Sequence, residues 1–161
     1  MCICQYLARY FQYVNFSKQF NTLTMKNEIS MNWKGNMSFE GEVNGHKIML
    51  DTDSSVGGDN TGPRPKPLML LALAGCSGMD VVSILKKMRV EVEDFNVRVS
   101  ADLTEEHPMV YSTMHVVYEF KGKNLDMDKL KKAVDLSQDR YCGVSAMYKQ
   151  FLKMTHEIKI V

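Results

Sequence analysis

Leu68-Met-Leu-Leu-Ala-Leu-Ala74 is apolar on every side, and no other stretch of this chain is. A run apolar all round belongs in an interior and not on a surface. Pro67 ahead of it suits a first helical turn, where its missing N–H costs nothing. Beyond Gly78 the pattern becomes amphipathic through Val81, Val82, Ile84, Leu85 and Met88, and it ends near Arg89. The reading is one long buried helix. Lys86, Lys87 and Arg89 fall at its C-terminal end, where cations offset the macrodipole. Gly75 and Gly78 each cost roughly 1 kcal/mol inside a helix relative to alanine. Either close backbone packing or access to Cys76 must offset that cost.

Around this helix the chain reads as strands and shorter helices. Met31–Val43 alternates loosely, and Asn44-Gly45 then turns tightly into His46–Leu50, which predicts an antiparallel meander. Asp51–Pro67 is a long polar loop with three prolines. Glu91–Leu103 and Met109–Phe120 alternate as strands. Asp126 or Asp128 caps a helix with Leu130, Ala133, Val134 and Leu136 on one stripe. Cys142-Gly143 opens a second short helix over Val144–Lys153, and Thr155–Val161 closes as a strand. Meander, long helix, two strands, two helices, strand: the class is α+β, with no repeated βαβ unit.

At 161 residues the chain is one domain, or one domain plus a tail. Residues 1–24 contain no acidic residue and lack sustained periodicity, whereas Met25-Lys-Asn-Glu28 reads as a natural start. The expectation is an N-terminal extension over 1–24, either disordered or from a misplaced start, and a domain over 25–161. A net charge of +1 favours neither nucleic acid nor an anionic membrane. Crossing a bilayer takes roughly twenty apolar residues, and the longest uninterrupted run has seven. No membrane span is expected.

Four cysteines are too few for a disulfide scaffold, and no Cys-x-x-Cys or paired histidines suggest a familiar zinc site. Two of the four stand out. Cys76 sits between Gly75 and Ser77-Gly78, and Cys142 beside Gly143, sixty-six positions on. Glycine neighbours let a second sulfur or a small substrate approach. In a reducing compartment such a pair persists as thiols. Asp80 lies one turn after Cys76 on the same helix face.

These contexts resemble the OsmC/Ohr family of thiol-dependent hydroperoxide reductases, on its divergent OsmC-like branch. The likeness rests on Pro65-x-Pro67, the apolar run ending in Ala-Gly-Cys76, Met79–Arg89 after it, and Ala133-Val-Asp-Leu-Ser137 leading into Tyr141-Cys142. It covers about Met31 to Val161. The resemblance implies an intertwined homodimer with active sites at its interface. It implies a peroxidatic Cys76 that becomes a sulfenic acid and a resolving Cys142 that condenses with it. An external dithiol then reduces the disulfide, with no cofactor, in a cytoplasmic protein that protects against organic hydroperoxides.

Departures from the family pattern bear on activity. The glutamate ten residues before the reactive cysteine is replaced by Lys66. No arginine lies between Arg9 and Arg64, and the proline that often follows the second cysteine is Gly143. Lys66 or Arg64 is the candidate substitute for the absent activating cation. Three readings follow: a dithiol peroxidase; a non-catalytic dimer holding a small hydrophobic ligand at its interface; and a structural dimer with inert cysteines.

Overall fold

The computed structural model describes residues 26–161. The expected extension over 1–24, with Cys2 and Cys4, lies outside the described residues. Among the described residues the architecture is α+β, with two three-stranded sheets and three α-helices. Strands β1 (Met31–Gly35), β2 (Ser38–Val43) and β3 (His46–Leu50) form the antiparallel meander in sequential order. Asn44 and Gly45 both take positive φ, 52° and 81°, as a two-residue hairpin turn with the right twist requires. The run Met31–Val43 is not one strand. Gly35 and Asn36, at φ 108° and 46°, fold it into a second turn, and Trp33 faces Phe39 across it.

The loop that follows is ordered by Asp51, which is buried. Its carboxylate accepts from the backbone N–H of Thr52, Asp59 and Thr61 and from the Thr61 hydroxyl. These bonds, that of the Thr61 amide first, hold the carboxyl far below its usual range.

Helix α1 runs Pro65–Lys87, two residues earlier at its start than the sequence pattern places it. By length and composition it is long enough to cross a membrane, a property that core helices share. Here one face is sealed by protein. It packs on β4 (Asp94–Leu103), α2 (Met127–Leu136) and α3 (Gly143–Tyr148). A Cβ at Gly78 would lie 3.3 Å from Val97 Cγ2 and 3.8 Å from the Phe95 ring, so this glycine lets helix and sheet approach. Gly75 faces open space. The expectation of burial all round fails on that side: Leu71 is 65% and Met79 71% exposed.

The second sheet has the order β4-β5-β6, with β5 at Tyr111–Lys121 and β6 at Lys153–Ile160. β4 and β5 are antiparallel, and β5 and β6 are parallel. A parallel pair needs a crossover, which α2 and α3 supply. Asp126 caps α2 through its side chain, accepting from the amides of Asp128 and Lys129. α3 ends at Tyr148, short of the expected Lys153. Leu73, Val81 and Leu85 of α1, Met114, Val116, Tyr118 and Phe120 of β5, and Leu130, Ala133 and Val134 of α2 form the core. The cysteines stand at the edge of this core, where α1 meets the start of α3.

Candidate active site

Cys76 projects from the middle of α1, and Asp80 follows at i+4 on the same face. Cys142 arrives from another part of the chain. α2 passes directly into a π-helical turn, Ser137–Tyr141, whose wider winding ends at Cys142 as the N-cap of α3. Such turns recur at functional sites because they re-aim one residue within a helix. The Cys76 and Cys142 sulfurs and a carboxylate oxygen of Asp80 all lie within 4.8 Å of one another. Both cysteines are free thiols; Cys142 is buried and Cys76 half-buried.

Backbone N–H groups from the first turn of α3 meet both sulfurs. Ser145 N–H donates to Cys142 Sγ at 3.3 Å, and the Val144 N–H stabilises the Cys76 thiolate. Burial nevertheless pushes the Cys76 thiol above its ordinary value, with the Cys142 thiol and the Asp80 charge acting in the same direction.

A polar layer lies beneath the thiols. Ser137 Oγ donates to the Ser77 carbonyl at 3.3 Å and to Asp80 Oδ2 at 3.4 Å. Gln138 Nε2 donates to Tyr118 Oη at 2.5 Å, and both residues are buried. Sequence reading missed this layer and the two amides. Backbone donors carry no residue signature, and Ser137, Gln138 and Tyr118 become neighbours only through the crossover.

The proposed cations are engaged elsewhere. Lys66 Nζ donates to the Met109 carbonyl at 2.8 Å, and Arg64 pairs with Asp53 at 2.5 Å. Ten residues of helical rise put Lys66 about 15 Å from Cys76 along α1. Within one chain, neither touches the thiols. Asp80, on the Cys76 face of α1, has the Ser137 hydroxyl as its side-chain partner.

The profile of the OsmC-like protein family matches residues 58–157. The chain belongs to this family. Protein YhfA of Escherichia coli (strain K12) is 35% identical over 130 residues, 80% of this chain and 94% of YhfA. A solved structure from Aquifex aeolicus VF5 is similar at 31% identity and a TM-score of 0.72, over 86% of this chain and 99% of that one. The organic hydroperoxide resistance protein OhrB of Bacillus subtilis shares the fold at 16% identity and a TM-score of 0.61, over 84% and 98%. The OsmC-like match spans both cysteines, α1 and the crossover, the elements that build the site.

Proposed function

We propose that this OsmC-like protein is a dithiol peroxidase that reduces organic hydroperoxides and contributes to protection against oxidative stress. The observation that carries the reading is the pair of free sulfurs within 4.8 Å, one half-buried and one buried. The Cys76 thiolate attacks the terminal peroxide oxygen; the O–O bond breaks, alcohol leaves with a proton, and Cys76 becomes a sulfenic acid. The Cys142 sulfur then attacks that sulfenic sulfur, water departs, and a Cys76–Cys142 disulfide forms. An external dithiol returns two electrons and two protons. A reducing, cytoplasmic compartment fits a cycle that begins from two thiols.

In place of the family arginine, the Val144 and Ser145 N–H groups supply partial positive charge at the sulfurs. They favour the thiolate without a formal cation, in opposition to burial. A homodimer fits the surfaces left uncovered: Leu71 and Met79 on α1, and Trp33 and Phe39 on the meander. The meander packs only slightly on the rest of its own chain. A partner covering these faces would bury the apolar side of α1 that carries Leu71 and Met79.

Single-cysteine variants test the reading. Cys76→Ser is expected to abolish turnover of cumene hydroperoxide with a dithiol reductant. Cys142→Ser is expected to accumulate a Cys76 sulfenic acid that dimedone traps. Full turnover by Cys76→Ser would refute it. A hydrophobic ligand retained by an inactive wild-type protein would favour the ligand-binding alternative.

A further inference from the structure

Among the described residues, one cluster gathers three metal-ligating side chains: Cys76, Asp80 and Cys142. We propose that this triad binds a single zinc-class divalent cation through two thiolates and one carboxylate, leaving a fourth position open to solvent.

The donor set selects the metal. Two soft sulfurs with one oxygen suit zinc or a similar borderline ion and do not suit magnesium or calcium, which require oxygen ligands. Three protein ligands with one open position is an arrangement zinc adopts readily. Zn–S bonds of about 2.3 Å place two tetrahedral sulfurs about 3.8 Å apart. The donor atoms already lie within 4.8 Å, so side-chain rotations of about 1 Å close the site. The backbone already brings the donors together, since α1 holds Cys76 and Asp80 one turn apart and Cys142 is the N-cap of α3.

Charge points the same way. Asp80 and Cys76 are half-buried and Cys142 is buried. Among the described residues Asp80 makes no salt bridge. Its one side-chain partner is the Ser137 hydroxyl at 3.4 Å, the kind of outer contact that orients a carboxylate ligand. A carboxylate and two thiols, partly or fully withdrawn from water without a basic side chain paired to Asp80, form a site that a cation completes. Gly75 and Gly143 flank the sulfurs, are exposed, and have open space where a Cβ would stand, which leaves a route in. Binding releases both thiol protons, M²⁺ replacing two H⁺. The proposal does not rest on the peroxidase reading, although the same sulfurs cannot hold the ion and a disulfide together.

Anaerobic titration of the reduced, full-length protein with Co²⁺, followed by displacement with Zn²⁺, tests it. One ion per chain is expected, with a near-ultraviolet thiolate-to-cobalt band and release of about two protons per ion. Asp80→Asn, checked for native near-ultraviolet circular dichroism, is expected to weaken binding at least tenfold, as for loss of a metal contact. If that variant does not fold, Ser137→Ala takes its place, with a weakening of about tenfold. Absence of the thiolate band, or wild-type affinity in the folded Asp80 or Ser137 variant, would overturn the three-ligand site. Peroxide plays no part in this titration, so its failure leaves the disulfide reading standing, and the reverse also holds.

Discussion

Gln138 donates its side-chain amide to the Tyr118 hydroxyl at 2.5 Å, and neither residue meets solvent. The bond ties the π-helical turn that delivers Cys142 to the central strand of the second sheet. Removing the hydroxyl with Tyr118→Phe strands a buried Gln138 amide. Leaving such a donor unpaired costs about 1–3 kcal/mol. Urea denaturation is expected to show that loss, accompanied by slower peroxide-driven disulfide formation as the turn carrying Cys142 loosens. Unchanged stability would mean that Gln138 finds another partner.

The pH dependence of Cys76 follows from its surroundings. Burial is the largest cause of its raised value, with the Cys142 thiol next and the Asp80 charge acting in the same sense. The folded chain thus holds the Cys76 proton more tightly than the unfolded chain. That contribution to stability is present below the ordinary thiol pKa, about 8.5, and is lost as pH rises through the folded value. Iodoacetamide labelling of Cys76 in the isolated protein is expected to rise with a midpoint above the ordinary one. Asp80→Asn lowers the midpoint but leaves it raised, since burial persists. A midpoint below 8.5 in the wild-type protein would contradict this description.

Local chemistry made much of the fold legible. Asn44-Gly45 named its turn, Asp126 or Asp128 the cap that Asp126 supplies, and the change of periodicity at Gly78 the amphipathic half of α1. Cys76 and Asp80 were readable as neighbours because helical spacing alone brings them together. What eluded the sequence was non-local or carried by the backbone. No residue pattern announces that β6 joins β5 in parallel, and that pairing is what sets the crossover carrying Cys142. The donors at the sulfurs are amides of Val144 and Ser145, whose side chains give no hint of the role. Lys66 and Arg64 looked available because a sequence records charge without its partners, and the Met109 carbonyl and Asp53 engage them. Leu71 and Met79 have the composition of a core but stand outside the one this chain builds.

Those two residues carry a prediction about assembly. An apolar helix face exposed at 65% and 71% is the kind of surface that marks an interface. Leu71→Glu is expected to shift the protein from dimer to monomer in light scattering, with the second sheet and its core retained in circular dichroism. A wild-type protein that is monomeric at micromolar concentration would exclude this face as the dimer contact.

The most direct test is the intact mass of the reduced protein, under non-reducing conditions, after one equivalent of cumene hydroperoxide. A dithiol peroxidase predicts a loss of about 2 Da, the two thiol hydrogens, mapped by peptide digestion to a Cys76–Cys142 bond. An unchanged mass, or a gain of oxygen on Cys76 that Cys142 does not resolve, would contradict the dithiol cycle.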